Sequence, residues 1–439
     1  MANITHQVLD EGLKCGFSIV EAFEEKIAGE EYDYHPAEET TFHTQDIHRT
    51  VVRSFWDTGD PVGIRLSNPT PETIKSAFNT VYSTYLPDRK ENYGRMLPVG
   101  VKKMKLGIYD ENVAAVNYKA FDHLIERIDE MMTAHPFRGL SLQKVRLSKI
   151  LKKVYIANTN GLDGKYIKTL FKLQLGLAMG ENLIDVHQGR IYFQQLDPLR
   201  LISRGLNLLF SLTENSITVP AGKDIYLILA PEVSAQILKE FSHYFKSNVD
   251  LDLMDIQYPA ILNIVDDHLM DGQAASVPFD DEGNQRQSGE KYLIRKGVFS
   301  RVIQDIATAF EHKGKSTGNG FRKKRTPFPT VGFSNLYIKP TVLPLKNLRD
   351  DAGEGIVVAL VKLKDINNRG YLFSAYGYRF KNHQMMEPVH FYFRTTLRSY
   401  LLNILKISKE IKFFHSHYTI GSPYILVKAA GKPDSVLEI

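Results

Sequence analysis

Apolar residues recur along this 439-residue chain in two rhythms, and the rhythm changes many times. At Ile74, Ala77, Phe78, Val81, Tyr82 and Tyr85 they return every three or four positions, the stripe of one helix face. Thr70 is placed to cap that helix. Pro71 sits at its first position, where a missing N–H costs nothing, and Pro87 ends it. At Phe171, Leu173, Leu175, Leu177 and Met179 the apolar residues alternate instead with Lys172, Gln174, Gly176 and Ala178. A period of two puts them on one face of a strand, despite the leucines.

The same reading predicts a helix over residues 4–13, a strand over 18–27 and a hairpin of 50–57 with 62–67, turned by Thr58-Gly59-Asp60. A connector rich in Pro, Gly and charge follows over 86–101, then a helix over 113–133. A strand over 154–162 runs into the turn Asn158-Thr159-Asn160-Gly161. A strand over 191–195 and a helix over 197–212 close the first half. In the second half a short strand, 224–230, leads into a helix opened by Pro231 and running to about Lys246. Helices are predicted over 298–310 and 393–411, paired strands over 355–363 and 371–380, and a last strand over 423–428. Helices and strands mix without strict alternation, which favours an α+β, multi-sheet fold over a doubly wound sheet. The expected division is an N-terminal α/β domain, 1–104, a central region, 105–215, and a strand-rich C-terminal domain, 216–439.

Composition narrows the function class. The net charge of +5 comes from 55 basic and 50 acidic residues, too slight an imbalance to imply a nucleic-acid partner. Cys15 is the one cysteine, so neither an intrachain disulfide nor a multi-cysteine metal site is expected. The start, MANITHQVLDEG, lacks a basic segment followed by an apolar one, and no window approaches eighteen apolar residues. A cytoplasmic protein with no membrane span is the expectation.

Candidate chemistry lies in the second half. The helix after Pro231 carries Lys239-Glu240 and His243-Tyr244. A zinc-peptidase helix needs two histidines one turn apart with a glutamate beside the first. Glu240 and His243 are suitably related, but Lys239 stands where the first histidine should be, and a protonated amine is a poor ligand. Val233, Ile237, Leu238, Phe241, Tyr244 and Phe245 share one arc, with Lys239 and His243 opposite and Glu240 at the edge, which reads as a solvated or cleft-facing helix without metal. His415 and His417, two apart, lack an identifiable third ligand and read as a polar loop. Asp280-Asp281-Glu282-Gly283 lacks the alternate oxygens of a calcium loop and reads as charged surface. Arg322-Lys323-Lys324-Arg325 is one basic patch, better suited to a cleft, an interface or solubility than to nucleic acid. The segment GKSTGNGFR, Gly314 to Arg322, is compact, polar and glycine-rich. Its N–H groups can bind an extended peptide or an anion, or it is an ordinary tight loop.

Taken in order, these pieces resemble the TldD/PmbA family, bacterial and archaeal peptidase subunits once called modulators of DNA gyrase. The resemblance rests on Pro278, Asp280 to Gly283, Leu293-Ile294 to Gly297, Gln304-Asp305 with Ala309, and Gly314. It continues through Ser316-Thr317-Gly318-Asn319, Arg322, Pro329, Asn335-Leu336-Tyr337 and Gly421-Ser422-Pro423, and extends more faintly to Asn158 to Gly161. Zinc-bearing subunits of the family carry His-Glu-x-x-x-His and a later cysteine. Here Lys239-Glu240 aligns with His-Glu, Tyr244 takes the second histidine's place, and the later cysteine is missing. The resemblance therefore implies a PmbA/TldE-like subunit that binds no zinc or other cofactor itself. It would pair with a zinc-bearing TldD-type subunit, or homodimerise, and would contribute to proteolysis of small peptides or peptide precursors only beside that partner. By the same resemblance Ser316, Thr317, Gly318, Asn319, Arg322, Asp281 and Glu282 are candidates to border the peptide cavity. The alternatives are a non-catalytic peptide-binding or scaffolding homodimer and, behind it, a nucleic-acid-associated protein. The faint N-terminal motifs, and His390-Phe391-Tyr392-Phe393 where the family is glycine-rich, depart from the pattern.

Overall fold

The computed structural model describes residues 4–36, 38–84, 92–134, 139–212, 223–246, 254–285, 289–323, 326–432 and 436–439. Tyr85, Pro87 and Arg325 lie outside them, as does most of the predicted connector's first part.

The first half is built on one antiparallel sheet. Its strands are β1 (Ile19–Tyr34), β2 (Thr41–Phe55), β3 (Val62–Ser67), β4 (Leu140–Asn158), β5 (Asp163–Met179) and β6 (Asn182–Arg190), in the order β3-β2-β1-β4-β5-β6. Residues 19–67 and 140–190 thus share a sheet. Helices α1 (Ile4–Lys14) and α2 (Pro71–Thr84) cover part of it through Val8, Phe17, Val20, Val52, Ile74 and Phe78. Helices α3 (Tyr118–Ala134) and α4 (Pro198–Ser211) cover another part through Phe121, Ile128, Val145, Leu173, Leu175 and Ile202. Asp197 caps α4 by accepting from the Arg200 N–H, with Pro198 at the first helical position. The far end of β2 is polar and exposed, so nothing in its side chains announces a strand there.

In the second half β7 (Asp224–Leu229) runs into α5 (Pro231–Phe241), then β8 (Ile264–Asp267), β9 (Glu290–Arg295), β10 (Val298–Phe299) and α6 (Ile306–Glu311). A ribbon of β11 (Gly320–Phe321) and β12 (Thr330–Val331) leads to β13 (Asn335–Ile338) and α7 (Leu345–Ala352). Three long strands follow: β14 (Glu354–Asn367), β15 (Gly370–Lys381) and β16 (Gln384–Thr395). The chain ends with α8 (Leu397–Leu402), β17 (Ile404–Ile407), β18 (Lys412–His415), β19 (Thr419–Ser422), β20 (Ile425–Gly431) and β21 (Leu437–Glu438). One sheet runs β17-β20-β21-β16-β15-β14-β7, and β7 also pairs with β20, so the sheet closes on itself and removes those edges. A second sheet runs β10-β9-β8-β13-β19-β18. Helix α5 is packed against strands of both, with Val233, Ile237, Leu238 and Phe241 in the largest core.

The fold is α+β in several sheets, as the mixed pattern predicts. Three predicted elements are corrected. Residues 298–310 are not one helix: β10 comes first, and Asp305 caps α6 only at Ile306, through a reciprocal bond pair with Thr308. Residues 393–411 begin as the end of β16, which runs to Thr395, and continue as a short helix capped by Thr396 and then a strand. Residues 193–195 form a single 3₁₀ turn after β6 rather than a strand. No helix among the described residues is long and apolar enough to cross a membrane.

Candidate functional site

The first sheet meets the C-terminal half along β4 and β5. Lys152 and Lys168 are register partners there, directly opposite one another. Two like charges at such a pair repel. Lys152 answers by pairing with Glu25, 2.6 Å away. Lys168 is brought down to about 7 by burial, with Lys152 adding to the effect, and its amine donates to the Ser276 carbonyl at 2.9 Å. Both lysines line a cleft of about 840 Å³. Lys246, Lys323, His415 and His417 face them across it, among the rings of Tyr166, Phe321, Phe333 and Tyr418. Burial lowers the Lys246 amine, helped by Lys323, and takes the His415 imidazole down to about 3, helped by Lys168. Asp281 is the one acidic residue in this lining among the described residues. The arrangement suits a ligand that combines apolar or aromatic parts with carboxylates, as a short peptide does.

The C-terminal end of α5 approaches the same cleft. The helix gives way at Ser242 to a 3₁₀ turn over Ser242–Phe245, so Lys239 and Glu240 lie in its last turn and His243 and Tyr244 lie beyond it. Lys239 and Glu240 are half-buried and His243 is exposed. The Gln236 amide donates to Glu240 Oε1 at 2.5 Å. His243 Nδ1 is 2.9 Å from the Glu240 carbonyl, and Nε2 is 3.4 Å from the Tyr371 hydroxyl, which burial and Tyr244 push up to about 12. The Tyr418 hydroxyl donates to Ser242 Oγ at 3.2 Å. The side chains present do not fit a zinc ion. Both His243 nitrogens face protein groups, and the Lys239 amine and Tyr244 phenol nearby are poor zinc ligands. No group of three or more His, Cys, Asp or Glu among the described residues is arranged to hold a metal. His415 ends β18 and His417 sits in the turn after it.

The remaining candidates form a buried polar clamp. Arg53 on β2 donates to Glu21 on β1 through Nε at 3.0 Å and Nη2 at 2.7 Å, and to Glu282 through Nη1 at 2.8 Å. Arg322 completes the set, donating to Glu21 and to the Asp281 carbonyl. Burial alone would raise the Glu21 carboxyl, but Arg53 and Arg322 outweigh it and hold the group below its usual range. Burial raises Glu282 despite Arg53, and takes Asp280 up to about 8 with Glu282 adding repulsion. Asp280 accepts from the N–H groups of Glu282, Asn284 and Gly320, which fixes the Asp-Asp-Glu-Gly turn. Asn319 joins a second buried set, accepting from Lys291 at 2.8 Å and donating to Asp266 at 2.8 Å. The Thr317 N–H donates to the Gln304 carbonyl and its hydroxyl lies 2.9 Å from Asn319 Oδ1, Ser316 is half-buried beside that carbonyl, and Gly318 takes a positive φ of 72°. Asn319, Arg322 and Glu282 are thus spent on internal bonds, while Asp281 also reaches the cleft. Of the basic run, Arg322 is in the clamp and Lys323 in the cleft, and 324–325 lie outside the described residues.

Lys152, Lys168 and Lys246 were not singled out by sequence. Alternation along β4 and β5 carries the signal for the first two, but only the pairing of the strands turns two lysines into one site.

Residues 223–431 match the family described as the PmbA/TldA metallopeptidase C-terminal domain. The C-terminal half is a PmbA/TldD-family domain. The fold around it agrees. TldE from Thermococcus kodakarensis superposes with a TM-score of 0.83 at 17% identity, over 98% of this chain and 100% of that one. A Thermotoga maritima protein described as a candidate modulator of a DNA gyrase matches with a TM-score of 0.78 at 18% identity, covering 96% and 97%. One from Bacteroides thetaiotaomicron, similarly described, gives 0.77 at 14%, covering 97% and 98%. No curated protein matches the sequence. Within this PmbA/TldD domain, the GKSTGNGFR segment and the Asp-Asp-Glu-Gly turn hold the domain to the first sheet, and α5 leads into the turn that carries Lys246 to the cleft.

Proposed function

We propose that this chain is the zinc-free, PmbA/TldE-like subunit of a TldD/PmbA-type metallopeptidase pair acting on small peptides or peptide precursors in the cytoplasm. The observation that carries the reading is the end of α5. Lys239 and Tyr244 stand where zinc-bearing relatives have histidines, and the turn after α5 brings Lys246 into a cationic, aromatic cleft of about 840 Å³, a size suited to a few residues of peptide. On this reading the chain binds and orients peptide. The cleft lysines hold carboxylates, the rings pack side chains, and bond cleavage belongs to the zinc-bearing partner.

The test is co-expression with a His-Glu-x-x-x-His subunit from the same genome, followed by metal analysis and a peptidase assay. A stable mixed dimer, with activity absent from either chain alone, supports the proposal. A chain that associates only with itself favours the peptide-binding or scaffolding homodimer. Stoichiometric zinc bound through His243 in the isolated chain would sink the zinc-free assignment.

A further inference from the structure

A second basic cavity lies away from the cleft, where α4, the start of α5 and the β18 strand meet. Its volume is about 400 Å³. Arg190, Arg200, Arg204, Arg349 and Lys412 all line it, and Glu232 is its one acidic residue among the described residues. Glu232 is already engaged by Arg204, whose Nε donates to it at 2.6 Å. That leaves four cations converging on one space with no carboxylate at ion-pair distance among the described residues. Such crowding costs free energy unless an anion offsets it. The cost is visible in the groups themselves. Burial and then Arg200 lower Arg190, and at the rim partial burial, then Arg200 and Arg204, lower Lys412.

Two neutral features point the same way. Gln188 lies between this cavity and a smaller pocket beside it, is 9% exposed, and its buried amide nitrogen has no hydrogen-bond partner among the described residues. A buried amide donor without an acceptor is uncommon. The Arg349 Nε is likewise buried and unpartnered. The cavity also opens on the start of α5, where Ala230 and Pro231 give no side-chain cap to the first-turn N–H groups. The other wall is apolar, with Leu201, Leu208, Val357 and Phe414.

We propose that this cavity is a binding site for a small phosphate-bearing molecule with an apolar body. The converging guanidinium groups and the Gln188 amide would hold the phosphoryl oxygens, and the Phe414 wall the remainder. Phosphate is favoured over a single carboxylate because several planar guanidinium donors converge and three phosphoryl oxygens are available to them.

Isothermal titration of the full chain with phenyl phosphate tests this, with benzoate and phenol as comparators. The expected result is one site for phenyl phosphate, weaker binding of benzoate and none of phenol. Arg200 and Lys412 are exposed at the rim, so Arg200→Ala and Lys412→Ala keep the fold, and each should weaken phenyl phosphate by about tenfold or more. Gln188→Leu should weaken it as well. The proposal is overturned if phenyl phosphate does not bind, or if benzoate binds equally well. It is also overturned if binding survives both rim substitutions but is lost in Lys246→Ala, which would place the anion in the cleft.

Discussion

Replacing Arg53 with methionine tests the clamp between the two halves. Arg53 is 1% exposed and makes three charged hydrogen bonds, two to Glu21 and one to Glu282. Methionine keeps much of the volume and removes all three. Glu21 retains Arg322, but Glu282 keeps only the Ile306 N–H at 2.8 Å and no cation. Removing one partner of a buried ion pair costs about 3–5 kcal/mol, because the other charge stays buried. A chain of 439 residues shifts its melting temperature by roughly 1 °C per kcal/mol, so a fall of about 3–5 °C is expected by circular dichroism at pH 8. The loss should shrink as pH falls. Glu282 is already raised above its ordinary 4.5 and rises further without Arg53, so in the variant it takes up a proton and sheds its unpaired charge as the medium is acidified. Glu21 is depressed in the wild type, so the stability it lends is present above 4.5 and fades as pH drops through and below that value. Protonation of Glu282 narrows the gap while the pH is still above 4.5, and the loss of Glu21's contribution narrows it further only below that value. A melting temperature within 2 °C of wild type at pH 8, or a deficit that widens in acid, would refute the clamp as a stabilising device. The second variant Arg53→Met with Glu282→Gln should recover part of the loss.

Gly320→Ala would place a Cβ 2.3 Å from Glu282 Oε2 in the same clamp, and should cost about 1–3 kcal/mol in denaturant titration. Asn319→Ala leaves the Lys291 amine short of an acceptor and Asp266 short of a donor, and should cost about 2–3 kcal/mol by the same measurement. Lys168→Met should stabilise the chain most at pH 6. Its folded-state value near 7 means the amine must be charged at a buried site below that pH, whereas between 7 and 10.5 only the unfolded chain holds the extra proton, so wild type gains on the variant as pH rises. Melting curves at pH 6 and pH 9 check the direction, and an unchanged difference would count against it.

How much of this was legible in the sequence depended on whether a residue's partners were close by. α2 and α4 could be read because caps, prolines and stripes lie within one segment, and β5 because its alternation is strict. The outer part of β2 could not, since its side chains are exposed and its identity as strand comes from pairing with β1. Residues 298–310 misled because Ile303 and Ile306 are both fully buried at helical spacing, yet Asp305 starts the helix between them. The ordered motifs were enough to indicate the family, and the GKSTGNGFR loop stood out for its composition. What the loop does was hidden, because Arg322 meets Glu21 across 301 residues and Arg53 meets Glu282 across 229. The cleft was hidden for the same reason: Lys152 and Lys246 belong to different sheets' neighbourhoods and become one lining only when the halves dock.

Those long separations also bear on the order of synthesis. Glu21 and Arg53 emerge from the ribosome together and can pair across β1 and β2 long before residue 282 exists. Glu282 and Arg322 arrive later, on one turn and one loop joined by α6. Each half therefore brings one carboxylate and one guanidinium to the junction. Closing it keeps the Arg53–Glu21 pair, adds Glu282 to Arg53 and Arg322 to Glu21, and leaves these four groups with no net charge among them, so the late half docks onto a pair already made rather than onto a bare buried charge.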